Sequence, residues 1–249
     1  MAMTTTTNYP NYPNFPYYPV VLSILHERNA RTVLDAPCGD GWLGYALKDK
    51  NSGVVVDGAC LWEFPPADGG YRNIIEHDLN KPMSETRQYD AVVCCEAIHS
   101  LANPGCAVAS FADNLRPGGT VIITTPNTWY MRSRLQFFLR GFHSGFRPAV
   151  TRKPGEGYVT YFPFTFSLLH QLLSHHGYGD ITLHEVSERK PMRWIEHVLA
   201  LPGRLYYRLK HRQSKTPDEA NFWGQAGSRQ SVHGRWLVVS ATYGAATAE

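Results

Sequence analysis

No apolar run in these 249 residues approaches the ~20 that a membrane-spanning helix needs, and no basic segment followed by an apolar core opens the chain. The protein is therefore expected neither to cross a bilayer nor to carry an export signal. Cysteine is scarce: five residues, two of them adjacent at Cys94-Cys95, without the paired spacing of a disulfide framework or a zinc ribbon. Reduced, buried thiols in a cytoplasmic protein are the expectation. Charge imbalance is small as well, a formal +3, and no zinc-finger, RNA-recognition or recognition-helix pattern accompanies it, which argues against a nucleic-acid partner. No cluster of Asp, Glu and His has the spacing of a dedicated metal site, so no metal is expected. What the chain does have is a 43% hydrophobic composition arranged in alternating strand and helix patterns. That is enough for one substantial core, read as one α/β domain over 17–249 behind a flexible Tyr/Pro-rich arm over 1–16.

Asp35-Ala36-Pro37-Cys38-Gly39-Asp40-Gly41 directly follows the apolar run Thr32-Val33-Leu34. An acid ends a buried strand and a glycine-containing turn opens a helix, the place where an open α/β sheet holds a nucleoside ligand. Dinucleotide sites cradle pyrophosphate on bare amides, which Asp35 and Asp40 would repel. A ligand with ammonium and sulfonium charges would be attracted instead. A second apolar run, Gly53-Val54-Val55-Val56, ends in Asp57 about 20 residues on, the spacing at which a second-strand acid meets ribose hydroxyls. A third run, from Arg72, reaches Asp78, a candidate acceptor for an adenine amine, with Leu79 placed to pack on the base.

The segment Asp-x-Pro-x-Gly-x-Gly resembles the first motif of the class I S-adenosylmethionine-dependent methyltransferases, with Pro37 where the first glycine usually stands. The likeness continues in Tyr89–Cys95, in Glu96 and Pro104, and in the Arg116-Pro117-Gly118-Gly119 turn before Thr120–Asn127. It departs at His99-Ser100, where Glu-His would be expected. The resemblance implies a Rossmann-like, doubly wound α/β sheet of seven strands, mostly parallel with an antiparallel last strand. It also implies S-adenosyl-L-methionine as cofactor, held by Asp35, Pro37, Gly39, Gly41, Asp57, Asp78, Leu79 and Glu96. Thr125-Pro126-Asn127, the Arg132–Leu139 segment and Pro163-Phe164-Thr165-Phe166 are similar to methyltransferases of bacterial surface-polysaccharide pathways. This implies O-methylation of a saccharide or glycolipid hydroxyl. A small-molecule or quinone-type acceptor is the alternative, and a catalytically silent adenosyl-binding subunit is a further one.

Methyl transfer to an alcohol needs alignment and a proton acceptor. His99, just past the fourth strand pattern, is the first candidate for general base and His143 the second; Arg132 and Arg134 are candidates to hold an acidic acceptor.

Two segments lie outside this frame. Met1 to Phe15 repeats an aromatic-Pro pair every three residues at Tyr9-Pro10, Tyr12-Pro13 and Phe15-Pro16, which reads either as a disordered tail or as an arm laid over the site mouth or a second subunit. An insertion at about 187–230 is basic and amphipathic: Ser187–Lys215 holds eight Lys and Arg against two Glu, interleaved with Trp194, Val198, Leu201, Leu205 and Tyr206. It is expected to break into two helices at Pro202-Gly203. Its readings are a packing element, a grip on a diphosphate-linked acceptor, or a peripheral contact with the anionic inner face of the membrane. Oligomeric state leaves no signal in the sequence.

Overall fold

The computed structural model describes residues 15–50, 53–61, 65, 69–83, 87–146, 159–187 and 194–244. Most of the predicted arm, and Arg189, Lys190 and Arg193 of the insertion, lie outside them. The elements follow in the order α1 (Tyr18–Glu27), β1 (Thr32–Asp35), α2 (Trp42–Asp49), β2 (Val55–Cys60), β3 (Tyr71–Glu76) and β4 (Tyr89–Cys95). A single 3-10 turn, Ile98–Ser100, leads to α3 (Pro104–Asn114), β5 (Leu115–Pro126) and α4 (Met131–Arg140). The chain then forms α5 (Phe166–His175), β6 (Tyr178–Leu183), α6 (Trp194–Gln213), α7 (Pro217–Ala226), α8 (Arg229–His233) and β7 (Trp236–Tyr243).

The strands make one seven-stranded sheet in the order β3-β2-β1-β4-β5-β7-β6. All pairings from β3 across to β5 are parallel, and β7 runs antiparallel to both β5 and β6. This is the doubly wound arrangement expected. The order reverses between β1 and β4, and the crevice beyond their carboxyl ends is where such sheets bind ligands.

Strand periodicity divides the core between the two faces. Val33, Val56, Val93 and Val238 pack with α1 and α2, whereas Leu34, Val92, Cys94, Val121 and Val239 pack with Phe111 of α3 and Leu169 and Leu173 of α5. Phe111, Leu169 and Leu173 are wholly buried, each contributing about 1.5–3 kcal/mol of apolar transfer. α3 begins where Asn103 accepts from the Cys106 amide and Pro104 supplies a fixed φ; α5 begins where Thr165 accepts from the Leu168 amide.

Three boundaries differ from expectation. β2 runs three residues past Asp57, because Asp57 and Gly58 pair with Leu34 and Asp35 of β1 and Ala59 and Cys60 pair with β3. β5 starts at Leu115, so the Arg116–Gly119 turn becomes an irregular entry into the strand, with Gly118 at φ 79°. α6 continues through Pro202 as one 20-residue helix. The proline removes one helical hydrogen bond, but Ala200 is buried on one side of it and Tyr207 packs against α8 and Met131 on the other, which keeps both halves helical.

Candidate functional site

β1 carries the chain into the switch-point crevice and ends at Asp35, after which a cis Ala36–Pro37 bond and Cys38 form a tight turn. The Cys38 amide donates to the Ala59 carbonyl at 3.0 Å, and the Gly41 amide to the Cys38 carbonyl at 2.8 Å. Gly39 stands at φ 46° with open space where a Cβ would project, so a ligand can approach its backbone closely. Gly41 has a different reason to be glycine. It caps α2 at φ 87°, and a Cβ there would lie 2.5 Å from Pro65 Cβ.

Above this turn opens a cavity of about 830 Å³. Pro37, Gly39, Asp40, Asp78, Leu79, Glu96 and His99 line it, together with Phe15, Tyr17, Tyr18 and Trp42. Three carboxylates and four aromatic rings meet there. Among the described residues no Lys or Arg lines it.

Glu96 is held in an unusual backbone state, φ 53° for a residue with a Cβ, at a cost of about 1–3 kcal/mol. Thr124 enforces it: the Glu96 amide donates to the Thr124 carbonyl at 3.0 Å and to Thr124 Oγ1 at 3.1 Å, while the Thr124 hydroxyl donates to Glu96 Oε1 at 3.2 Å. Burial pushes the Glu96 carboxyl up to about 8, against the opposing hydrogen bond from Thr124. Asp78 is held lower than usual by the Asn80 amide and side chain at 3.0 and 2.9 Å and by Lys81. His99 is nearly buried; its Nδ1 meets the Thr125 hydroxyl at 3.1 Å, and burial lowers its pKa to about 4. Among the described residues Nε2 has no hydrogen-bond partner, which leaves it for an acceptor.

The remaining predicted residues stand elsewhere. Asp35 lies beneath the turn rather than in the cavity wall. It is fully buried, with Oδ2 accepting from the Tyr71 hydroxyl at 2.6 Å and Oδ1 unpartnered among the described residues. Burial pushes it up to about 8, although the Tyr71 hydrogen bond opposes the shift. Asp57 does not reach the cavity either, because β2 runs on beyond it. Burial works against its ionisation, but Arg72 and Tyr89 donate to it, at 3.0 Å from Arg72 Nε and 2.8 Å from Tyr89, and the Arg72 and Arg87 charges hold its pKa below the usual range. The strand-end place assigned to it belongs to Cys60 and Leu61.

Arg132 and Arg134 are also redirected. Arg132 donates to Glu196 Oε1 from Nε at 3.1 Å and Nη2 at 2.7 Å, tying α4 to α6, and the Arg134 guanidinium stacks 4.3 Å from the Trp129 ring centre. His143 is outside the cavity wall, with Nδ1 3.2 Å from Ser133 Oγ and its ring stacked at 4.4 Å on Phe137. The Thr-Pro-Asn segment is framework: Asn127 donates to the Ser231 and Gly234 carbonyls at 2.8 and 2.7 Å and accepts from the Trp129 amide at 2.9 Å. Thr128 likewise donates to the Phe164 carbonyl at 2.7 Å.

Sequence reasoning missed the aromatic wall. Tyr18 stacks on Trp42 with ring centres 3.8 Å apart, Tyr17 meets Phe15 at 5.3 Å, and both Phe15 and Tyr17 touch Trp236 of β7. The Phe15-Pro16-Tyr17-Tyr18 cluster was the available signal.

The chain matches the family model described as a methyltransferase domain over residues 19–153. Relatives include the ubiquinone biosynthesis O-methyltransferases of Pseudomonas savastanoi pv. phaseolicola and Pseudomonas syringae pv. syringae, each 32% identical over 108 residues, 39% of this chain and 45% of the relative. The chain thus spans about half the length of the curated relatives it matches. Among solved structures, the methyltransferase domain of a bacterial CtHen1 superposes with a TM-score of 0.54 at 17% identity, covering 91% of this chain and 97% of that one. An S-adenosylmethionine-dependent methyltransferase from Mesorhizobium loti gives 0.51 at 15%, covering 92% and 98%. These likenesses carry the fold, and the family match covers the turn, Glu96 and His99: the chain belongs to the methyltransferase domain family.

Proposed function

We propose that the protein is an S-adenosyl-L-methionine-dependent O-methyltransferase acting on a small-molecule hydroxyl. The carrying observation is the lining of the 830 Å³ cavity: Asp40, Asp78 and Glu96 with Tyr17, Tyr18 and Trp42, and no Lys or Arg among the described residues. Such a surface attracts a ligand bearing ammonium and sulfonium charges, through carboxylates and ring faces alike, and repels a pyrophosphate. When bound, the cofactor supplies an activated methyl group, so the protein's contribution is position and proton removal. Pro37 and Gly39 admit the ligand to the turn, Asp78 and Leu79 bracket the base, and Glu96 faces the cationic end. His99 Nε2 takes the proton of the acceptor hydroxyl in the tautomer whose Nδ1–H donates to Thr125 Oγ1, 3.1 Å away.

The acceptor class is argued from the same wall. Ser100, Leu101, Gly145 and Thr160 line the cavity together with His99, a mixed wall suited to a small organic alcohol or phenol. The relatives named for ubiquinone biosynthesis favour the same class. The saccharide reading draws no support from Asn127 of the Thr-Pro-Asn segment, whose side-chain amide is committed to framework bonds. Calorimetry with S-adenosylmethionine, its demethylated product and NAD, followed by methyl-transfer assays on phenolic, quinol and saccharide panels, tests both levels. Binding of NAD without either adenosyl compound would overturn the cofactor assignment; transfer to saccharides alone would overturn the acceptor class.

A further inference from the structure

The insertion between β6 and β7 carries an exposed apolar stripe that no element of the described chain covers. Trp194, Val198, Leu201, Leu205 and Leu209 follow one another at spacings of three and four along α6, and Trp194 is 76% exposed. Arg204, Arg208 and Arg212 run beside that stripe at spacings of four. They line a second cavity of about 320 Å³ between α6 and α7, together with Tyr207, His211 and Trp223. Stripe and cavity share an edge, because Arg208 and Arg212 sit on the helix surface between Leu205 or Leu209 and Arg204.

Charge decides the occupant. Glu196 is the one acid on α6 and is paired with Arg132, and the acids of α7, Asp218 and Glu219, stand in its first turn, where Glu219 accepts from the Lys215 amide at 2.8 Å; Arg204, Arg208 and Arg212 outnumber them at the cavity. A second copy of this chain would bring arginines against arginines, which opposes self-association through this face. Anionic phospholipid offers both complements: acyl chains for the stripe and phosphates for the arginine cavity, where guanidinium groups can bind oxygens in pairs. We propose that α6 is an interfacial docking helix for an anionic phospholipid bilayer, with the stripe at the acyl boundary and headgroup phosphate seated against Arg204, Arg208 and Arg212. No helix among the described residues is long and apolar enough to span the bilayer; the proposed contact engages one leaflet. Docking does not depend on the methyl-transfer reading, and its test reads no turnover.

Flotation of the full chain with phosphatidylcholine vesicles, with and without phosphatidylglycerol, at low and high salt, tests this. The wild type is expected to float with phosphatidylglycerol vesicles at low salt and to be released as salt rises. R204Q/R208Q/R212Q and, separately, V198S/L201S/L205S each lower the bound fraction at least about tenfold, with unchanged circular dichroism, since the altered groups line an open surface. Absence of flotation at low salt, equal flotation on phosphatidylcholine alone, or wild-type flotation of the stripe variant would overturn the proposal. So would a stripe-dependent dimer or a stripe-dependent protein complex in light scattering without lipid.

Discussion

The Tyr71 hydroxyl bridges two backbone segments that the sequence keeps 27 and 36 residues away from it: it donates to Asp35 Oδ2 at 2.6 Å and accepts from the Gly44 amide at 3.2 Å. The start of β3 thereby clamps the end of β1 to the first turn of α2, the two sides of the Gly39 loop. Tyr71→Phe leaves a buried carboxyl with both oxygens unpartnered and an amide without its acceptor. Urea denaturation is expected to show a loss of about 1–3 kcal/mol. Wild-type stability in the Phe variant would remove the clamp from the account.

Asp57→Asn separates a structural acid from a ligand-binding one. The buried carboxylate organises Arg72, Arg87 and Tyr89 beside β2, and neutralising it is expected to cost about 1–3 kcal/mol. Affinity for the demethylated cofactor, measured by calorimetry, stays unchanged. A large loss of affinity at unchanged stability would restore Asp57 to the ribose.

On the proposed cofactor reading, Glu96 is expected to couple binding to protons. With its carboxyl pushed up to about 8, it is largely protonated at neutral pH, and a cationic ligand favours its ionised form. Binding therefore releases protons, and affinity tightens as pH rises through 8, by up to about 25-fold between pH 6.5 and 8.5. Calorimetry in buffers of different ionisation enthalpy counts the protons. Glu96→Gln should release fewer and flatten the profile; an unaltered count would assign the linkage elsewhere.

His99 should separate chemistry from binding. His99→Ala is expected to lower kcat by about 10²–10⁴ while leaving cofactor affinity intact. Because burial holds the imidazole near a pKa of 4, the wild-type rate should show no acid limb at His99 between pH 6 and 8. Full activity in the Ala variant would end the assignment.

Acid stability carries a separate signature. His99 and His233 are both nearly buried and both lowered to about 4, His99 by burial and His233 by burial and then the Arg204 and His197 charges. Between pH 6.5 and 4 the unfolded chain binds protons that the folded chain does not, so stability is present above pH 6.5 and declines as pH falls through this window. His99 contributes on the order of 3 kcal/mol to that decline, and His233 adds to it in the same direction. Denaturation midpoints of His233→Gln should fall less steeply with acid than those of the wild type.

Local patterns in the sequence specified much of this protein. A short apolar run, an acid and a Pro/Gly turn before an amphipathic segment have one common outcome in an open sheet, and β1, the Gly39 loop and α2 follow from them. That Glu96, Leu79 and His99 line the cavity was legible for the same reason, since each sits within a few residues of a strand end.

Tertiary structure decided which acids meet the cavity. A strand ends where its pairing ends, and β2 continues past Asp57 because Asp57 and Gly58 find partners on β1 and Ala59 and Cys60 on β3; that turns an apparent strand-end carboxylate into a buried structural one. Long-range partners were equally hidden. Arg132 meets Glu196 across 64 residues and Tyr71 reaches Asp35 across 36, and no local spacing encodes either encounter. The aromatic wall waited on the sheet as well, because Trp236 reaches Phe15 and Tyr17 only once β7 inserts between β5 and β6. Composition alone showed α6 to be basic and apolar; folding alone determined that its apolar stripe faces outward, since the opposite side is taken by Ala200, Glu196 and Tyr207 packing against the body of the protein.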